Sequence, residues 1–264
     1  MEVHKFEVDA LHVEVYPDSE AASRAAAAAA AKAMRELSEK RDVLQVLFAT
    51  GASQLQVLRA LVAEPDVPWN KVSGFHLDEY IGLDAGHPAS FRRYLRDNLI
   101  AHTKMRSFLE IDGSAEQPEE VCWRYAEALR EANPQLCLLG IGENGHLAFN
   151  DPDEADFEDP QAVKVVSLDR TCREQQVAEG WFGGLEETPK RAITVTLPTI
   201  MRVPQLIVTV PGRRKAQIVR RTLEEKISEQ CPATILRTHP NATLYLDPDS
   251  AAELRLGTGF RTRA

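Results

Sequence analysis

The chain has 264 residues, of which 44% are hydrophobic and 27% charged, and its formal net charge is −9. Such a chain has ample apolar surface for a core, and its acidic balance argues against nucleic acid as a partner, because phosphate backbones select basic surfaces. A small phosphorylated ligand, which meets only its own pocket, stays open.

Cys122, Cys137, Cys172 and Cys231 are scattered with no CxxC pair, the pattern of free thiols in a reducing cytoplasm rather than of a zinc site or disulfide framework. Residues 1–20 lack a basic region followed by an apolar core, so no secretory signal is expected. No apolar run approaches the length of a bilayer span, so no membrane partner is expected and the cytoplasm is the expected location. The block Ala25–Ala31 favours helix, flanked as it is by Arg24, Lys32, Arg35 and Glu36.

Along the chain, Val3–Val15 reads as extended, and Pro17-Asp18-Ser19-Glu20 offers cap and first-turn residues for a long helix through about Lys40. Val43–Phe48 suits a buried parallel strand, and Leu55–Val62 has helical spacing. Val72–Leu77 is the next strand, Phe91–His102 and Pro118–Ala132 are helical, and Leu136–Leu139 is a strand ending at a glycine-rich turn. Ala192–Thr196 and Gln205–Val210 read as strands, Gly212–Lys226 as a basic helix and Thr243–Leu246 as a last strand. Strands separated by helices predict a doubly wound, mostly parallel α/β domain spanning 1–264, without internal repeats.

In such sheets ligands sit outside the carboxyl ends of the strands. Four polar turns fall there: Thr50–Ser53, Asp78–Tyr80, Gly140–Asp151 and Pro211–Lys215. Thr50-Gly51-Ala52-Ser53 opens a helix, where backbone N–H groups can hold a phosphate, although a plain capped turn reads equally well. The P-loop lysine is absent. Arg213, Arg214 and Lys215 stand at a helix start, against its dipole; the cluster is either a solvated face or an anion holder centred on Lys215. Asp78-Glu79 could supply a base of raised pKa, one carboxylate disfavouring ionisation of the other, or could be solvated. His146 has Asn144 and Asp151 close by in sequence, groups able to orient and tune an imidazole. His87 and His102 have no such neighbours and read as structural, with His239, which precedes Pro240, a weaker case.

Gly140-x-Gly142-x-x-Gly145 also matches the dinucleotide fingerprint, which demands a helix at the third glycine and an acid about 20 residues on. Asp169 follows Val165-Val166-Ser167-Leu168, but His146-Leu-Ala-Phe-Asn-Asp-Pro152 gives no apolar helical face. The glycines read better as backbone that lets a substrate approach beside His146.

Together Ala49–Ser53, Phe75–Leu83 with His87–Phe91, Gly140–Pro152 and Gly212–Ala216 resemble the glucosamine-6-phosphate deaminase (isomerase) family, sister to the 6-phosphogluconolactonases, over nearly the whole chain. Asp78-Glu-Tyr80 and Gly145-His-Leu-Ala-Phe-Asn150 are similar to the deaminase branch. The resemblance implies a three-layer α/β/α domain and a reaction without metal or cofactor. It implies Asp78 as the base between C2 and C1 of an open-chain sugar, His146 assisting ring opening beside residues 144 and 151, and Thr50, Gly51, Ala52, Ser53 and Lys215 on the 6-phosphate. Gly140 and Gly142 would line the site, and Glu79 would accompany Asp78. The best-studied deaminases carry aspartate where this chain has Asn144 and glutamate where it has Asp151. Their phosphate-binding arginine corresponds most nearly to Arg173, and the basic residues of their effector site are missing from Glu154–Val163, so no N-acetylglucosamine 6-phosphate activation is expected. The expected activity is isomerising deamination of glucosamine 6-phosphate. Lactone hydrolysis and a non-catalytic sugar-phosphate sensor are the alternatives; the choice of amino sugar and a possible homo-oligomer stay open.

Overall fold

The computed structural model describes residues 3–255 and 261–262. Strands β1 (His4–Val8) and β2 (Leu11–Val15) form an antiparallel hairpin. The continuous extended segment expected over Val3–Val15 is thus broken at Asp9, whose φ of 53° lies in the left-handed region that aspartate tolerates in tight turns. Helix α1 (Ser19–Ser38) starts where Asp18 accepts from the Ala21 N–H. Ala26, Ala27, Ala30 and Ala31 are fully buried, so the alanine block acts as a thin helix face that lets α1 sit close to its neighbours.

Next come β3 (Leu44–Phe48), α2 (Ala52–Ala63), β4 (Val72–His76), β5 (Asp78–Tyr80), α3 (Phe91–Asn98), β6 (Ser107–Leu109), α4 (Pro118–Ala132) and β7 (Leu136–Leu139). They are followed by β8 (Val163–Ser167), α5 (Arg170–Ala178), β9 (Arg191–Val195), α6 (Leu197–Met201), β10 (Gln205–Val210), α7 (Ala216–Glu224), β11 (Ala242–Leu246) and β12 (Arg261–Thr262). The main sheet has the order β12-β1-β2-β11-β10-β7-β3-β4-β6 and is parallel from β2 to β6. Successive side chains of a strand face opposite ways. Leu136 and Leu138 therefore pack in one core with α1, α2 and α3, while Cys137 and Leu139 pack in the other with α4, α6 and α7. This is the doubly wound, three-layer α/β/α arrangement. No helix among the described residues is long and apolar enough to cross a membrane.

The chain leaves this sheet at Leu77 and enters a second, antiparallel one ordered β5-β9-β8. Asp78–Tyr80 is accordingly a short strand rather than a turn, and Ala192–Thr196 belongs to this small sheet rather than to the parallel one. Ala192 to Val195 are all buried, and a run that is apolar on both faces carries no signal of which strand it pairs with. Tyr80, Phe91, Phe149, Leu168 and Phe182 form a third core here. Helix α3 stops at Asn98, short of the expected His102, and a 3-10 turn occupies Ile100–His102. Gly212 (φ 90°) likewise starts a 3-10 turn, Arg213–Lys215, before α7 begins.

Candidate active site

The four loops converge at the carboxyl edge of β3, β4, β7 and β10. After β3, Gly51 at φ 92° turns the chain so that α2 starts at Ala52. Thr50, Gly51, Ala52 and Ser53 all line a cleft together with Lys215. Gly140 makes this possible, because a Cβ there would come within 2.9 Å of Gln54 Nε2 and 3.1 Å of Ser53 Oγ, at the start of α2. The buried Lys215 ammonium donates to the Ile141 carbonyl at 2.9 Å. Burial pushes its pKa down, and the nearby carboxylates of Glu179 and Glu143 oppose that shift. A lysine and a helix start facing one space make a cradle for a phosphate-sized anion.

The Asp78-Glu79 pair splits across the strand, as neighbours on extended backbone must. Asp78 lines the cleft, and its Oδ1 is buried with no hydrogen-bond partner among the described residues. Burial, then the charge of Glu79, raises its pKa well above the usual carboxylate range. Glu79 turns away from the cleft. It accepts from the N–H groups of Tyr80 (2.9 Å), Phe91 (3.1 Å) and Arg92 (3.0 Å), from Ser90 Oγ (2.8 Å) and from Arg92 Nε (3.3 Å). Its carboxylate therefore anchors the start of α3, and the structure does not place it among the reacting groups.

After β7 no helix follows Gly145 (φ 96°); the chain folds back through Gly142 N–H to the His146 carbonyl (2.9 Å) and a bridge between Leu147 and Asn150. The dinucleotide geometry is absent from this loop. The His146 ring takes the space that a side chain at Gly142 would fill: a Cβ there would lie 2.1 Å from Nε2. The small residue at 142, which also lines the cleft, thus makes room for the imidazole. Gly142→Ala is expected to displace the ring and cost about 10²-fold in kcat/KM, with inorganic phosphate affinity retained; steady-state kinetics and calorimetry check this.

His146 Nδ1 lies 2.8 Å from Asp151 Oδ1. Among its hydrogen bonds Asn144 makes none to the ring. Its carbonyl oxygen accepts from the His146 N–H (3.0 Å), and its amide nitrogen donates to Asp151 Oδ1 (3.0 Å) and Asp169 Oδ2 (2.6 Å). Asp151 Oδ2 accepts from the Asp169 N–H (3.0 Å), and Asp169 Oδ1 caps α5 through the Cys172 N–H. Burial would raise the pKa of Asp151, but His146, the Asn144 amide and the Asp169 N–H outweigh it and hold the carboxyl below its usual range. An aspartate at 144 would face two carboxylates; the amide lets one side chain bridge them. A ring nitrogen of His146, an Asp151 oxygen and the Cys172 sulfur lie within 4.8 Å of one another, so these residues could hold a soft divalent cation, which would compete with the imidazole's part in proton transfer.

Among the sequence-predicted residues, Asp78, His146, Thr50, Gly51, Ala52, Ser53, Gly140, Gly142 and Lys215 meet in the cleft. Asn144 and Asp151 stand behind the imidazole. Arg173 does not reach the cleft: its guanidinium donates to the carbonyls of Leu185 and Thr188. The cleft face of α5 is instead Gln175, Gln176 and Glu179, with Cys172 one turn earlier, a spacing that leaves position 173 off that face. These residues escaped the sequence reading because their segment offers no glycine turn or strand end; only the run of polar groups on one helical face marked them. His239, a weaker structural case by sequence, is buried with Nε2 2.9 Å from the Val203 carbonyl and Nδ1 accepting from the Asn241 N–H, which is a structural role.

A buried carboxylate with an oxygen unpaired among the described residues, an imidazole backed by an acid, and a lysine beside a helix start share one cleft, an arrangement that can move protons on a small anionic substrate. The family described as glucosamine-6-phosphate isomerases/6-phosphogluconolactonase matches residues 17–245, and the chain belongs to it. A glucosamine-6-phosphate deaminase of Thermoanaerobacter pseudethanolicus is 33% identical over 88% of this chain and 91% of its own length. One from Streptomyces avermitilis is 32% identical over 95% of both. Among solved structures, a monomeric glucosamine-6-phosphate deaminase of the NagB superfamily superimposes with a TM-score of 0.84 at 28% identity, covering 92% of this chain and 99% of that one. A 6-phosphogluconolactonase from Thermotoga maritima shares the fold, with a TM-score of 0.72 at 20% identity over 89% and 98% of the two chains.

Proposed function

We propose that the chain converts glucosamine 6-phosphate and water to fructose 6-phosphate and ammonia. The observation that carries this reading is the meeting of Asp78, His146 and the Thr50–Ser53/Lys215 cradle in one cleft. The deaminase names of relatives that align over most of their length support it.

The cradle holds the 6-phosphate, which places the far end of the sugar at the acid and the imidazole. His146, oriented by Asp151, relays the proton from the C1 hydroxyl to the ring oxygen as the ring opens. Asp78 takes the C2 proton while the substrate's ammonium group gives one to the C1 oxygen, forming an enolamine, and Asp78 then returns its proton to C1, leaving an iminium at C2. Water adds at C2, nitrogen leaves as ammonia and the ketone remains, so the atoms balance. The raised pKa of Asp78 makes it a stronger base than an exposed carboxylate.

Incubation with glucosamine 6-phosphate should release ammonia and fructose 6-phosphate in equal amounts. A rate no higher than that of Asp78→Asn would overturn the assignment. Lys215→Met should raise KM by roughly 10- to 100-fold, the weight of one charge-assisted hydrogen bond, with a smaller change in kcat.

A further inference from the structure

Helix α5 presents adjacent glutamines to the cleft, and they differ in one respect. The Gln175 amide is fully engaged: its oxygen accepts from the Glu143 N–H at 2.9 Å and its nitrogen donates to Glu179 at 2.7 Å. Gln175 is a brace. Gln176 is only 5% exposed, and no donor among the described residues reaches its Oε1. A buried acceptor without a partner costs about 1–3 kcal/mol and is found in native proteins where something else satisfies it.

We infer that Gln176 is a specificity-determining residue of the cleft, its amide oxygen accepting from a hydroxyl or ammonium group on the carbon chain of the bound sugar phosphate. The inference rests on the sugar-phosphate reading of the site and extends it to the part of the ligand between the phosphate and the reacting carbons. An ionised phosphate carries no proton to give, and Asp78 Oδ1 makes no hydrogen bond among the described residues, so the donor belongs to the polyhydroxylated chain. A site built around such an acceptor discriminates against ligands lacking the donor, because binding them leaves the acceptor dry and unpaired.

Calorimetric titration with glucosamine 6-phosphate, n-butyl phosphate and inorganic phosphate tests this on wild type and on Gln176→Met, a change that keeps side-chain length and removes both polar atoms. Wild type should bind glucosamine 6-phosphate more tightly than butyl phosphate, which shares the phosphate and offers no donor. Gln176→Met should bind glucosamine 6-phosphate about 10-fold more weakly, the weight of one neutral hydrogen bond, with unchanged affinity for the other ligands. Its ligand-free melting temperature should equal or exceed that of wild type, since an unpaired buried acceptor is gone; a glutamine that merely braced α5 would melt lower. Equal wild-type affinity for the sugar and butyl phosphates overturns the inference whether or not the variant folds. So does a parallel loss for all ligands, an unchanged glucosamine 6-phosphate affinity in the variant, or a lowered melting temperature. Ammonia release by wild type tests the deamination separately; where it occurs, the titrations are run on both proteins carrying Asp78→Asn, so that the heat reports binding rather than turnover.

Discussion

Asp78→Asn is expected to lower ammonia release by about 10³-fold, the usual weight of a positioned general base, and to raise the melting temperature at neutral pH. Both effects have one cause. The Asp78 carboxyl is buried beside Glu79 with one oxygen unpartnered among the described residues, so ionising it in the folded state is harder than in the unfolded chain. Its folded pKa is raised, so this group favours folding most at acid pH and loses that contribution as pH climbs through the folded pKa. At neutral pH the carboxylate is a cost that the amide does not carry. Stability exchanged for a reactive group is common in active sites. The same shift fixes the acid limb of the kcat/KM profile, which should fall off at a pH above the ordinary carboxylate range. A limb at or below that range would exclude Asp78 as the titrating base.

Glu79→Ala is expected to lower stability by about 3 kcal/mol, the lower end for breaking a buried ion pair, or roughly 10 °C in melting temperature. Arg92 is 5% exposed and would keep only Asp112 and the Leu83 carbonyl, while the Phe91 and Arg92 N–H groups at the start of α3 would lose their acceptor. Phe91 lines the cleft and packs on Phe149, so loosening α3 disturbs the cleft wall as well. Glu79→Gln separates the roles. It leaves one oxygen to accept and turns an NH2 toward donors that the carboxylate served, so stability still falls. But it keeps the side chain's shape and removes a charge that helps hold the Asp78 pKa up, so the acid limb of kcat/KM should move to lower pH. Thermal melts and pH–rate profiles of the pair of variants check this; an unmoved acid limb would mean that burial alone tunes Asp78.

Much of the site was legible because its parts sit at strand ends, where local sequence is most telling. Thr50–Ser53 follows an apolar strand, His146 follows a glycine turn, and Lys215 follows Pro211-Gly212. Each of these is an interruption in a short-range pattern. The Asp-Glu pair shows the boundary: alternation along a strand requires neighbouring side chains to diverge, yet it does not say which one enters the cleft. Asn144 shows it again. By sequence it is a missing charge beside a histidine, whereas in the folded chain it bridges Asp151 and Asp169, the latter 25 residues away. The family resemblance points to Arg173 for the phosphate, whereas the rotation of α5 turns Gln175 and Gln176 to the cleft, with Glu179 just beyond the helix.

What local physics dictated here is most strands of the parallel sheet, the helices α1, α2, α4 and α7, and the order of the polar loops. Apolar runs, the Asp18 cap, the alanine face and the glycine turns each act within a few residues, and alternating strands and helices leave few topologies besides a doubly wound sheet. What only packing decided is partnership: the transfer of Asp78–Tyr80 into a second sheet, the burial of Glu79 against Arg92, the bridge through Asn144, and the face that α5 turns to the cleft. Those outcomes depend on which surfaces meet across the fold and on which polar groups are left to satisfy one another once water is excluded.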